Sequence, residues 1–214
     1  MSKKIAVIDY GMGNLRSVVK ALEYVAEGKA EVLLTSNPDL VAISDHVVFP
    51  GQGAARDCMA ALRDTGMDEV VIEAAHSKPF LGVCMGMQVL MTHSEENEGT
   101  DLLNLFRGEV RRFPDNADGE RLKVPQMGWN TIHEVQRDHP LFRGIHDNSH
   151  FYFVHSYYVS PADPSLTAGE TDYGVTFTSA IARDNVFAMQ SHPEKSAEAG
   201  LQLLRNFISW DGTA

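Results

Sequence analysis

Over the first ninety residues, short apolar runs rich in β-branched residues alternate with longer stretches of helical spacing. "KIAVIDY", "EVLLTS", "HVVFPG" and "PFLGVC" read as strands. Within them, "AVIDY" and "FLGVC" are apolar nearly throughout, as expected of strands buried on both faces of a mainly parallel sheet. In "NLRSVVKALEYVAEG", Leu15, Val18, Val19, Leu22 and Val25 share one helical face, and Gly28 follows as a stop. Such a helix would cover the sheet. The alternation predicts an α/β fold, an open and mostly parallel sheet with helices on both faces.

From about Asp101 to Ser160 the pattern changes to strand-like pieces, "FRGEVRRF", "NTIHEV" and "FYFVHSYYV", separated by Pro, Gly, Asn and Asp. These predict hairpins or added antiparallel strands in the C-terminal half. "TSAIARDNVFAMQ" reads as a further hairpin turning at "RDN". It leads through "SHPEKS" into a last helix with Ala197, Leu201, Leu204 and Ile208 on one face. No repeat, low-complexity tract or linker interrupts the chain, which predicts a single domain over residues 1–214.

Composition narrows the function. With 214 residues, 43% of them hydrophobic, the chain can bury a substantial core. Its two cysteines, Cys58 and Cys84, form no CxxC pair and no cluster with nearby histidines, so neither a disulfide framework nor a metal site is expected. A reducing cytoplasm fits that usage. The apolar run in "MSKKIAVIDYG" is too short for a signal peptide, and no segment nears the ~20 apolar residues of a membrane span. A net charge of -11 speaks against a general binder of nucleic-acid backbones.

The candidate chemistry lies in Gly82-Val-Cys84-Met-Gly86, which has the spacing of a nucleophile elbow with cysteine in place of serine. At such an elbow a strand turns sharply into a helix, here "MGMQVLMTHSEE", and the turn needs residues without a Cβ on either side of the nucleophile. The helix dipole would favour thiolate, and the Met85 N–H would be free to bind an oxyanion. Beside this stands the plainer reading of a buried, inert thiol. A base is available at a strand end: His192, in "QSHPEKS", with Glu194 two residues on to hold its second ring nitrogen. A solvated loop histidine beside a surface glutamate is the alternative there. "GMGNLR" suggests a dinucleotide loop, but Arg16 stands where the third glycine belongs and no acid follows at ribose distance.

Taken together, "FLGVCMGMQ", "HPE" and the oxyanion-loop sequence "FPGQGA" resemble the class I, triad-type glutamine amidotransferases. More narrowly, "VIDYGMGNLRSV", "PQMGWN", "YFVHSYYV" and "QSHPEKS" resemble the glutaminase subunits that serve a (β/α)8-barrel cyclase in histidine biosynthesis. The resemblance spans essentially the whole chain. It implies that Cys84 attacks the glutamine carboxamide, that His192 protonates the departing ammonia, and that Glu194 fixes the tautomer of His192. Water would then hydrolyse the glutamyl thioester, with no cofactor. The oxyanion would lie between the N–H of Met85 and one from the Gly51–Gln52–Gly53 loop; many relatives carry a small apolar residue where this chain has Gln52. The resemblance also places Gln88, Glu96, Tyr152, Ser156 and Tyr157 around the glutamine, where a zwitterion needs a carboxylate and polar donors. For Tyr152 a core aromatic in a strand is the alternative.

In that family the ammonia passes to the cyclase subunit of a heterodimer, which makes imidazole glycerol phosphate and the aminoimidazole carboxamide ribotide. Asn14, Trp129 and Lys195 fall at positions the family uses near the subunit interface. An exposed Trp129 would suit an interface anchor, a buried one a core. The same resemblance predicts low activity in the isolated chain, with a loop donor that docking reorients. Three rivals remain at this stage: a glutaminase feeding another synthase, such as those for guanylate, anthranilate or pyridoxal phosphate; a stand-alone cysteine hydrolase; and a non-catalytic binding module, whose mark would be a missing triad residue.

Overall fold

The protein is described by a computed structural model that covers residues 2–117 and 119–213. The four early runs form β1 (Lys3–Ile8), β2 (Ala30–Thr35), β3 (His46–Gly51) and β4 (Phe80–Cys84). The longer helices among them are α1 (Leu15–Ala26), α2 (Ala55–Thr65) and α3 (Met67–Ser77), and a short helix spans Pro38–Ala42. A single helical turn, α4 (Met85–Gln88), follows β4 directly. The second half contributes β5 (Gly108–Arg112), β6 (Gln126–Glu134), β7 (Ser149–His155), β8 (Tyr157–Pro161), β9 (Thr167–Asp172), β10 (Thr176–Arg183), β11 (Val186–Met189) and α5 (Ala197–Ser209).

The strand order β2-β1-β3-β4-β11 is parallel throughout. Beyond β11 the sheet continues antiparallel through β10, β8 and β5, while β6 and β7 form an antiparallel pair attached through β9. The expected antiparallel addition in the C-terminal half is therefore present.

Burial explains why β1 is apolar without alternation. Ile5 and Val7 pack toward α1 and α5, with Val18, Leu22, Leu203 and Phe207, while Ala6 and Ile8 pack toward α2 and α3, with Leu62 and Val71. All four β1 side chains are fully buried, and burying each of the larger ones is worth about 1.5–3 kcal/mol. The α1 stripe buries Leu15, Val18, Leu22 and Val25, and the helix ends through Glu27 and Gly28, both at positive φ. The "RDN" hairpin turns at Asp184–Asn185, pairing Arg183 with Val186. No described helix is long and apolar enough to cross a membrane.

Three expectations are corrected. The last helix buries Gly200, Leu203, Leu204 and Phe207. Ala197 is exposed, and Leu201 and Ile208 are only flanks, because the true stripe runs between the positions that the i, i+4 spacing picked out. The elbow is followed not by a long helix but by the one turn of α4, after which the buried chain bends into a short strand at His93–Ser94; an apolar run buried all round carries no stripe from which a helix length could be read. A helix dipole of useful size is thus absent at Cys84, leaving only the unpaired N–H groups of a first turn. Finally, "FYFVHSYYV" is not one strand. It breaks at Ser156 into β7, which pairs with β6, and β8, which pairs with β5 and β10.

Parallel pairing fixes the location of the site. Gly51 on β3 is in register with Cys84 on β4, and Val83 with Met189 on β11. The C-terminal ends of these three strands lie side by side, bringing together the Gly51–Gly53 loop, the elbow and "QSHPEKS", as open α/β sheets do.

Candidate active site

Cys84 sits at φ 56, ψ -112, a conformation that costs a non-glycine residue about 1–3 kcal/mol and that marks a sharp strand-to-helix turn. The flanking glycines are needed for close approach. A Cβ on Gly86 would overlap the carbonyl oxygen of Phe49, and one on Gly82 would lie 2.8 Å from both the Cβ of Ala188 and the carbonyl oxygen of Gly86. On β3, a Cβ at Gly51 would come 2.5 Å from Tyr10 Oη and 2.9 Å from Met85 Cβ. The oxyanion loop and the elbow can therefore touch only as glycine-rich segments.

The elbow opens onto a cavity of about 470 Å³. Cys84, Met85 and His192 line it together with Gln52 and Gly53. Gln88, Glu96, Ser156 and Tyr157 complete the set of predicted residues there, and Lys195 reaches its edge. Glu96 uses Oε2 to accept the Ala55 N–H at the start of α2, at 2.7 Å. Gln88 keeps its Oε1 without a partner.

His192 is held from both sides. Its backbone N–H donates to Tyr152 O at 2.9 Å, and its carbonyl accepts from Ser196 Oγ at 2.6 Å. Its Nδ1 donates to Glu194 Oε1 at 2.9 Å, with both side chains buried, and its Nε2 has no aligned partner. Burial works against charging the ring, but hydrogen bonding and charge from Cys84 and Glu194 outweigh it and raise His192 to about 10. At neutral pH the ring is an imidazolium, the acid that a departing amine requires. The rate should therefore persist through neutral pH and fall near pH 10 as His192 loses its proton. Removing one raising group in Glu194→Gln should move that alkaline limb to lower pH in a kcat/KM profile; an unmoved limb would contradict the assignment.

Cys58 lies fully buried in α2. Tyr10 Oη donates to its sulfur at 3.8 Å, and its thiol donates to Gln52 O at 3.3 Å. Burial pushes the thiol up to about 11 and raises the Tyr10 phenol as well, so both remain neutral groups that hold the loop carbonyl.

Tyr152 is not among the residues lining the cavity. Its ring packs edge-on against Trp129, at 6.1 Å between centroids, and Lys195 Nζ lies 5.9 Å from it. The β6/β7 register pairs Trp129 with Tyr152 directly, on the face opposite the buried Phe151 and Phe153. Trp129 is 53% exposed, which removes the buried-core reading, and Met127 beside it is exposed as well. Asn14, also exposed, precedes α1 without a side-chain cap. Among the described residues no cluster is arranged to hold a metal. The reading of motifs missed Gln190, a neutral side chain at the end of β11 whose Nε2 lies 3.7 Å from Cys84 Sγ.

Known proteins resemble this chain over nearly its whole length. The family model described as Glutamine amidotransferase class-I matches residues 6–210. The imidazole glycerol phosphate synthase subunit HisH of Hydrogenovibrio crunogenus is 55% identical over 210 residues, covering 98% of each chain. That of Aromatoleum aromaticum is 59% identical over 210 residues, covering 96% of this chain and 98% of the relative. A solved glutamine amidotransferase superposes with a TM-score of 0.69 at 16% identity, covering 96% of this chain and 97% of the other, a likeness of fold.

Proposed function

The chain belongs to the class-I glutamine amidotransferases, and from that premise we propose that it is the glutaminase subunit of an imidazole glycerol phosphate synthase. It hydrolyses glutamine to glutamate and hands the ammonia to a (β/α)8-barrel cyclase subunit, in the cytoplasm. The observation that carries this reading is the assembly of Cys84 and His192 on one cavity, with Glu194 behind His192 and loop and elbow backbone able to hold an oxyanion beside them, in a chain alike over nearly its full length to subunits of that synthase.

The chemistry follows from the positions. Glutamine enters with its ammonium toward the free oxygen of Glu96 and its carboxamide toward Cys84, oriented by Gln88, Ser156 and Tyr157. Sulfur attacks the carboxamide carbon, and the oxyanion is stabilised by the Met85 N–H, unpaired at the start of α4, and by a donor from the Gly51–Gly53 loop. His192 protonates the leaving nitrogen through Nε2 while Glu194 holds Nδ1. Having given up that proton, His192 takes one from water, which hydrolyses the thioester. Trp129, Met127, Tyr152 and Lys195 form the docking face for the cyclase, with Asn14 at its margin; an exposed tryptophan among neighbouring aromatic and aliphatic groups suits an interface anchor.

Steady-state glutamate release by the purified chain, alone and with a purified cyclase subunit and its nucleotide ligand, tests this. The expected result is slow turnover alone and a rise of about tenfold or more with the partner, or about 1.4 kcal/mol off the barrier. Turnover unaffected by that partner would move the ammonia to a different synthase. A folded chain with no turnover in either case would contradict glutaminase function.

A further inference from the structure

Gln190 is fully buried at the C-terminal end of β11, and the steps above make no use of it. Its Nε2 donates to Cys84 Sγ at 3.7 Å, and its Oε1 accepts from Gln88 Nε2 at 2.9 Å. The second hydrogen of that Gln88 amide goes to Tyr157 O, at 3.0 Å. The same carbonyl lies 2.8 Å from His155 Nδ1. Burial pushes His155 down to about 4, so its ring is neutral and carries one N–H, and because a carbonyl can only accept, that hydrogen is on Nδ1. His155 Nε2 then offers only a lone pair, so the Gln126 carboxamide 2.8 Å away meets it with its NH2 group, which otherwise lacks a partner.

The result is a buried relay with matched polarity: Gln126 to His155, His155 and Gln88 to one carbonyl, Gln88 to Gln190, Gln190 to sulfur. Its order leaves the Gln190 amide no choice of orientation. With Oε1 committed to Gln88, only an N–H can face Cys84.

Building on the glutaminase reading, we propose that Gln190 is a positioning residue for the nucleophile: its N–H holds the Cys84 sulfur toward the cavity and supports the negative charge that sulfur carries as it attacks. When the thioester forms, that charge is gone and the hydrogen bond weakens; as water displaces the sulfur the charge returns and the hydrogen bond strengthens, so the interaction speeds thioester hydrolysis. Gln88 serves two ends at once, fixing the Gln190 amide through Nε2 and presenting its unpartnered Oε1 to the substrate.

Two substitutions in the full-length chain test this. Gln190→Met removes the donor with a side chain that adapts to buried sites, and Gln190→Glu keeps the shape while turning an acceptor toward sulfur. The reaction of Cys84 with iodoacetamide is followed against pH, the adduct being located by peptide mass analysis with buried Cys58 as internal control. The titratable groups around the sulfur are His192 with Glu194 behind it, Tyr10, Cys58, Glu96, His155, Tyr157 and Lys195. Neither glutamine nor methionine titrates, so a shifted profile in Gln190→Met reports the lost hydrogen bond, whereas Gln190→Glu tests the same contact by setting a carboxyl against the sulfur. The expected shift is about one unit to higher pH in Gln190→Met, as for a hydrogen bond to a charged group, and further in Gln190→Glu. For glutamine, kcat should fall about tenfold with KM nearly unchanged.

A profile superimposing on that of the unsubstituted chain, in either variant that folds, would overturn the role of Gln190 whatever the turnover. A raised KM at unchanged kcat would do the same. A shifted profile in a chain that never turns over glutamine would instead overturn the glutaminase reading and leave the role of Gln190 standing.

Discussion

Replacing Cys84 by serine should lower glutamine hydrolysis by about a thousandfold or more while leaving the chain folded and able to bind its partner. The substitution is nearly isosteric, so the elbow, with its backbone at φ 56, and the glycine contacts with Phe49 and Ala188 are retained. What changes is the nucleophile: a hydroxyl gives up its proton far less readily than a thiol, and an elbow with a histidine base suits a thiol. Glutamate release and the urea midpoint together check the prediction. Turnover within tenfold of the unsubstituted chain would remove Cys84 from the role.

His192→Ala should be about as damaging, again by about a thousandfold, because it removes the acid held beside Cys84 by Glu194. The loop itself should survive, since its hold on the fold runs through the backbone bonds to Tyr152 and Ser196. Glu194→Gln should cost less. Its side-chain oxygen can still accept from Nδ1 at the place where Oε1 now sits, 2.9 Å away, and a neutral amide serves as the orienting group in other cysteine–histidine sites. The ordering of the two variants matters more than either number. Equal losses would mean that the carboxylate charge, rather than the orientation it provides, dominates the site. Near-normal rates in both would mean that the triad geometry is accidental.

The parallel half of the fold was legible because strands buried on both faces leave an unmistakable run of apolar residues, as in "AVIDY" and "FLGVC", and because the α1 stripe is clean. Spacing singled out Cys84, His192 and Glu194 as candidates beside the plainer readings of an inert thiol and a solvated loop histidine, and it was their combination with the oxyanion-loop sequence that pointed to one site. Features set by tertiary packing were hidden. The break at Ser156 has no glycine or proline to announce it; the strand splits because β7 and β8 answer to different neighbours. The helix after the elbow is one turn long and every side chain in it is buried, so no amphipathic pattern could show its length. Tyr152 was assigned to the glutamine and lies instead with Trp129, a consequence of the β6/β7 register that a single strand cannot reveal. Gln190 escaped notice because an uncharged residue at the end of an apolar run carries no local sign of the sulfur it will meet.

The central claim, that Cys84 is the nucleophile of a glutaminase, is tested most directly with an electrophilic glutamine analogue such as a chloroketone. Loss of glutamine hydrolysis should track the incorporation of one equivalent of label at Cys84, free glutamine should slow both, and Cys84→Ser should take up none. Label on Cys58 alone, or a chain fully labelled at Cys84 that still releases glutamate, would contradict the account.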